Sequence, residues 1–132
     1  TTAIQNGGRS IGVLGSGINL FLPKTNGELM EKLAKDHLLL SEYPENVRPH
    51  PDHFLVRNRI IIGLSRSVMV FDVRERSGTF STTNLTVVSN RNLLSIPYPM
   101  DTEFLNNSLL KQGADLIENA EGDIPNRKPP HY

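Results

Sequence analysis

Cysteine is absent from the 132 residues. Its absence excludes a disulfide scaffold, a thiolate nucleophile and a Cys-ligated metal. It is compatible with a cytoplasmic setting, and a cytoplasmic protein is the expectation. Long hydrophobic runs are lacking too. No stretch approaches eighteen apolar residues, so no membrane-spanning helix and no membrane partner are expected. No basic region followed by an apolar core stands at the N-terminus, so a secretory signal is not expected either. An excess of charge of one sign is missing: 14 Lys and Arg face 14 Asp and Glu. The whole chain is therefore no general magnet for polyanions, although a local basic face is compatible with that balance. What is present is ordinary globular composition, 37% hydrophobic and 21% charged. A chain this long makes one domain and buries about two-thirds of its unfolded surface, enough for a core without staples. It opens without Met in what reads as a helix end, which suggests a partial domain.

Residues 1–6 read as the end of a helix stopped by Gly7-Gly8, since paired glycines reach left-handed geometry cheaply. Residues 11–14 form a short apolar strand broken by Gly15-Ser16-Gly17. Asn26 is a candidate cap for a helix carrying Leu29, Met30, Leu33 and Ala34. A second strand covers 38–41, and residues 42–52 are irregular. The next helix is expected from Phe54 to Leu64, with Ile60, Ile61 and Leu64 as its buried face. Residues 68–71 are a third strand and 72–78 a charged loop. Residues 79–90 carry Leu85 and Val88 at helical spacing, against the poor propensity of four threonines and two serines. Residues 93–96 are a fourth strand. Phe104, Leu105, Leu109 and Leu110 suit a helix ending at Gly113, and 114–117 a fifth strand. Residues 121–132 read as a tail or linker. Short strands alternate with helices and are apolar throughout. That pattern belongs to an α/β fold, a three-layer parallel sheet with helices on both faces.

The neutral total hides a gradient. Residues 48–76 hold six arginines against three acids, whereas residues 101–123 hold six acids against Lys111 alone. Ligands of parallel sheets bind beyond the carboxyl ends of the strands, where four segments fall: 15–17, 42–44, 72–78 and 97–99. Gly15-Ser16-Gly17 can offer N–H groups and the Ser16 hydroxyl to a phosphate, or simply make a tight turn. It is neither a dinucleotide fingerprint nor a P-loop. Arg57-Asn58-Arg59 beside His53 and Phe54 combines cations, an amide and a ring, the groups that hold a single strand of nucleic acid. Phe54 has core packing as its alternative, and Arg59 has pairing with Glu42 or Asp72. Of the two arginines, Arg57 is expected to touch the strand and Arg59 to anchor. Arg76-Ser77-Gly78-Thr79 is a donor-rich corner whose plainer use is helix capping. His37, His50, His53 and His131 lack metal-ligand spacing, so no metal is expected. No Gly-x-Ser-x-Gly elbow occurs, and nothing fixes Glu42 and Asp72 as an acid/base pair.

These residues carry a resemblance. The run Gly8-Arg9-Ser10-Ile11-Gly12-Val13-Leu14-Gly15-Ser16-Gly17-Ile18, followed by Pro23, Asn26 and Leu29, resembles the central part of the bacterial DNA-processing protein A (DprA/Smf) family. So do Ser41-Glu42-Tyr43-Pro44 and His53-Phe54 with Arg57-Asn58-Arg59-Ile60-Ile61-Ile62-Gly63-Leu64-Ser65. Arg76-Ser77-Gly78-Thr79 with Thr82, and Asn107, Leu109, Leu110, Gly113 and Ala114, complete the series in family order. The resemblance implies a Rossmann-like domain over residues 1–120 that binds single-stranded DNA without catalysis and without a cofactor. It implies protection of incoming strands in natural transformation, help in loading the RecA recombinase, and self-association, most simply as a dimer. The implied basic pocket is lined by Gly15, Ser16, Gly17, Lys24, His53, Phe54, Arg57, Asn58, Arg59, Arg76, Ser77 and Gly78.

The sequence departs from the family in places. The two strand–helix units that open the family's domain, with their glycine-serine-arginine motif, do not precede residue 11, and a sheet edge is expected to lie open as a result. No C-terminal winged-helix segment is recognised. The strand-end acid is Asp72 followed by Val73, where glutamate and alanine are usual. Tyr98 and Leu105 stand where glycine is usual. Two other readings stay open. One is a nucleotide enzyme resembling the phosphoribohydrolases, of whose glycine-rich run only Ser77-Gly78-Thr79 occurs. The other is an oligomerisation fragment with a vestigial pocket.

Overall fold

A computed structural model describes residues 2–99 and 103–118, so the expected tail at 121–132 lies outside the described residues. The chain divides between Arg57 and Asn58 into two compact units. The first holds helix α1 (Thr2–Gln5), strand β1 (Ile11–Val13), a 3-10 turn (Lys24–Asn26), helix α2 (Gly27–Asp36), strand β2 (Leu38–Leu40) and the first half of helix α3 (Pro51–Leu64). The second holds the rest of α3, strand β3 (Ser67–Val70), helix α4 (Gly78–Val88), strand β4 (Asn92–Ser95), helix α5 (Asn106–Lys111) and strand β5 (Asp115–Leu116).

All strand pairs are parallel, as the α/β reading requires. In the first unit β1 pairs β2 with Ile11 opposite Leu38. In the second, β4 lies between β3 and β5, with Val68 opposite Leu93 and Leu94 opposite Asp115. Parallel neighbours need crossovers, and helices supply them: α2 packs on β1 and β2, α4 on β3 and β4, and α5 on β4. Gly12 leaves room for this packing, because a Cβ there would sit 2.9 Å from Leu39 and 3.2 Å from Leu33 of α2. The second unit's core is Val70, Val73, Leu93 and Leu109, flanked by Val68, Phe80, Leu105 and Ala114. Each Val, Leu or Phe side chain stabilises by about 1.5–3 kcal/mol when fully buried. Only the central strand β4 is buried along most of its length. Ile11, Leu38, Met69 and Leu116 stay exposed, and the chain has the expected α/β fold of parallel strands and packed helices.

Helix ends follow the expected chemistry with corrections. Gly7 and Gly113 both adopt positive φ, +76° and +102°. Each closes its helix with the same paired bonds: Gly8 to Ala3 at 2.8 Å after α1, and Ala114 to Leu109 at 3.0 Å after α5. Asn26 is not a side-chain cap of α2. It ends the 3-10 turn, and its own N–H reaches the Pro23 carbonyl at 3.0 Å. Helix α3 starts at Pro51, three residues earlier than expected, because proline suits a first turn whose N–H is spare anyway. Its buried residue is Ile62, while Ile61 and Leu64 are exposed. Helix α4 forms despite its threonines. Thr82, Thr83 and Thr86 turn their hydroxyls onto the carbonyls four residues back at 2.8–2.9 Å, so the last two lie buried without an unpaired polar atom.

Candidate nucleic-acid interface

In the first unit the glycine loop is held from outside by side chains. Val13, Leu14, Gly15, Ser16 and Gly17 are all buried. Arg57 donates to the Val13 carbonyl at 2.6 Å. His53 Nδ1 lies 3.0 Å from the Gly15 carbonyl, and Ser41 donates to the Ser16 carbonyl at 2.6 Å. Gly17 donates its N–H to Val47 at 2.8 Å. A Cβ on Gly17 would lie 2.5 Å from the Pro44 carbonyl oxygen, so glycine here is a matter of space. Phe54 lies against Gly15 in the same way, with ring carbons 3.1–3.2 Å from where a Cβ would be, yet its ring stays 43% exposed. The carbonyls of Val13, Gly15 and Ser16 thus have side-chain partners, whereas the N–H groups of Gly15 and Ser16 and the Ser16 hydroxyl have no partner among the described residues. Buried donors normally find an acceptor, and a short row of spare donors is the form of an anion-binding concavity.

The segment after β2 is built to seat this loop. Tyr43 stacks on the His53 ring at 4.1 Å. Asn46, at a positive φ of 66°, exchanges bonds with Asn19 at 2.8 and 2.9 Å. Burial of the Arg57 guanidinium lowers its pKa from the ordinary value. Arg57 is half-buried with a backbone partner, and Arg59 is exposed. Lys24 is exposed on the 3-10 turn.

In the second unit Arg76 sits at a positive φ of 55°, ahead of α4. Ser77 is the N-cap, accepting from the Phe80 N–H at 3.1 Å and donating to the Arg74 carbonyl at 2.7 Å. Capping, the plainer alternative for this corner, is therefore realised by Ser77. Gly78 has open space where a Cβ would be. Asn58 donates to Thr82 at 2.8 Å. Beside them lies an open groove of about 510 Å³ lined by polar Asn58, Asp72, Thr79 and Thr82, by Gly78, and by apolar residues of β3 and Phe71.

Asn106, which sequence reasoning passed over, and Tyr98, noted there only as a departure from glycine, fix the strand ends here. Asn106 is fully buried. It donates to the Phe71 carbonyl at 2.7 Å and Ser95 Oγ at 2.9 Å, and accepts from the Val73 N–H at 3.1 Å. Tyr98 donates its hydroxyl to Asp72, and this bond, then burial, raises the phenol's pKa. Tyr98's backbone is clasped by Asn107 at 3.0 and 2.5 Å. A polar residue amid Leu105, Leu109 and Leu110 was the available signal for Asn106. Glu42 and Asp72 fall in different units, and among the described residues no group of three or more His, Asp or Glu gathers for a metal. No helix among them is long and apolar enough to cross a membrane.

Comparison with known proteins identifies the family. The chain is 37% identical over 121 residues to the DNA processing protein DprA of Streptococcus pneumoniae, covering 90% of this chain and 43% of that protein. It is 35% identical over 130 residues to the DprA of Bacillus subtilis, covering 95% and 44%. The chain thus spans less than half the length of these relatives. The X-ray structure of the S. pneumoniae protein superposes with a TM-score of 0.82 at 38% identity, over 89% of this chain and 42% of that one. A Helicobacter pylori DNA processing protein A, solved for its single-stranded DNA binding mode, superposes with a TM-score of 0.75 at 29% identity, over 83% and 51%. Residues 1–126 match the profile of the DNA recombination-mediator protein A family, and the chain belongs to that family.

Proposed function

We propose that this chain is a non-enzymatic, cytoplasmic binder of single-stranded DNA in DNA processing, acting through a Rossmann-like domain that occupies residues 1–120. The observation that carries the reading is the glycine loop: its carbonyls are occupied by Arg57, His53 and Ser41, and the Gly15 and Ser16 donors are left over. In the first unit phosphates of a strand meet these donors and the exposed Lys24, and the half-exposed Phe54 gives a base a face to stack on; Arg59, exposed, belongs to the second unit. Gly17 and His53 shape the loop rather than touch the strand. In the second unit Arg76 meets a phosphate, Ser77 and Gly78 open α4, and Asn58 orders Thr82. Membership of the family and the likeness to the H. pylori protein support the same reading.

The test is anisotropy of a labelled oligo-dT against a blunt duplex of equal length, at two salt concentrations. Tighter binding of the single strand, with affinity falling as salt rises, is expected. Equal or tighter binding of the duplex overturns it. The reading extends to self-association, most simply as a dimer, and to delivery of the coated strand to a RecA-type recombinase. Light-scattering mass over a concentration series checks the first, and a strand-loading assay with the recombinase checks the second.

A further inference from the structure

The groove of the second unit has a chemistry that phosphate binding does not use. Among its nine lining residues the charged one is Asp72, an acid. One oxygen of Asp72 accepts from Tyr98, and the other has no partner among the described residues. A carboxylate facing a groove repels phosphate and attracts a neutral donor. Thr79 lines the same groove; its hydroxyl is unpartnered among the described residues, and the first turn of α4 supplies the N–H groups of Gly78 and Thr79. Thr82 is not available, since it donates to Gly78 and accepts from Asn58. The apolar wall includes Met69 and Phe71, which are 38% and 58% exposed. The volume of about 510 Å³ suits a small flat ligand.

An acceptor beside donors, with an exposed ring and a thioether along one wall, matches the edge of a heterocycle that carries an amine next to a ring nitrogen. The geometry points to this groove as a base-edge site that takes an amine-bearing nucleobase, cytosine or adenine, in preference to thymine. Asp72 accepts from the exocyclic amine, which thymine lacks, and Thr79 or the α4 amides donate to the adjacent ring nitrogen. The site rests on the reading of the chain as a single-strand binder. It adds to that reading a modest preference among bases at one position.

The test compares oligo-dC with oligo-dT by anisotropy, on the wild-type chain and on Asp72→Asn. A single such contact predicts about five- to tenfold tighter binding of oligo-dC. In Asp72→Asn the amide oxygen keeps the Tyr98 hydroxyl, so the NH2 faces the groove and presents a donor. The preference is then lost or turns toward thymine. Thr79→Val, which keeps shape and removes the hydroxyl, reduces the preference without reversing it, and circular dichroism melting checks that both variants fold. Should Asp72→Asn fail to fold, Thr79→Val and a second measurement decide. That measurement follows the amide NMR shifts of Gly78, Thr79 and Thr82 in the wild-type chain as free cytidine or thymidine is added. Shifts with cytidine and not thymidine support the site. Equal binding of the two oligonucleotides, or equal shifts with the two nucleosides, overturns the site and leaves single-strand binding standing. Binding of neither oligonucleotide, with shifts from cytidine alone, overturns the single-strand reading and leaves the groove. Absence of both signals overturns both.

Discussion

The glycine loop of the first unit and the serine–glycine corner of the second use the same residue types in opposite ways. Both are runs of Gly and Ser near arginine, at the ends of parallel strands. The loop is held tightly: three of its carbonyls receive side chains, and Gly17 touches the Pro44 backbone. The corner is open: Gly78 has free space around it, Arg76 adopts a strained φ, and a groove runs alongside. A tight loop fixes the direction of its few spare donors and cannot adapt. An open corner can accept groups of varied shape. The difference suits a strand whose phosphates repeat regularly and whose bases do not.

The largest expected effect separates the units by stability. Asn106→Leu removes the partners of the Val73 N–H and the Phe71 carbonyl inside the second unit. Two buried groups left unpaired at about 1–3 kcal/mol each predict a loss of about 3–5 kcal/mol. Hydrogen exchange is the sharper readout. Amides of β3, β4 and β5 lose protection while those of β1 and β2 keep it, and a uniform loss would show that the two units open together.

The next effect sets one glycine against another. Gly17→Ala forces a Cβ to 2.5 Å from the Pro44 oxygen and 2.9 Å from the Asn46 nitrogen, both backbone atoms that cannot swing aside. About 2 kcal/mol of destabilisation is expected, as for overpacking. Gly78→Ala meets nothing and has an ordinary φ, so it gains about 0.4–1 kcal/mol through the unfolded chain. Urea denaturation of the pair measures both, and a similar cost at both positions would remove the distinction between closed loop and open corner.

Third comes the arginine pair. Arg57→Ala leaves the Val13 carbonyl without its charged donor and costs about 1.5 kcal/mol. Arg59→Ala at an exposed position stays within about 0.5 kcal/mol. If Arg59 meets phosphate, its removal makes the salt dependence of strand binding shallower with the melting temperature unchanged.

The fold was legible in the sequence where periodicity and punctuation agree. Strand-to-helix alternation, the glycine stops after α1 and α5, and all five strands lie where apolar runs and breakers place them, within a residue or two. The misplaced edges have local causes. Pro51 lengthens α3 because a first-turn proline reads as a loop residue in isolation. Ile62 rather than Ile61 is buried because a run of three isoleucines gives no phase. The site was less legible. Gly17 looks like a flexible turn, and its need for space is visible only once residues 44–46 lie against it. Asn106 and Tyr98 act through partners 11 to 35 positions away in the chain, a separation no local pattern encodes.

The smallest effect tests whether strain at the corner is kept for binding. Arg76 holds a φ of 55°, a region that costs an L-residue about 1–2 kcal/mol and glycine almost nothing. Glycine is more flexible in the unfolded chain, which returns about 0.5–1 kcal/mol of that gain. Arg76→Gly is therefore expected to stabilise the fold by about 0.5 kcal/mol, read as a small rise in melting temperature. The same change removes one cation from the corner. If that cation meets a strand phosphate, affinity for oligo-dT falls and the slope of log K against log salt shrinks by about one. Arg76→Lys keeps the charge and the strained backbone, so it retains the slope without the stability gain. A glycine variant that is more stable and binds as before, with an unchanged slope, would assign the arginine no part in holding the strand. A glycine variant that is less stable would show that the arginine side chain supports the turn, and the open corner would then be held by its own side chain, as the glycine loop is.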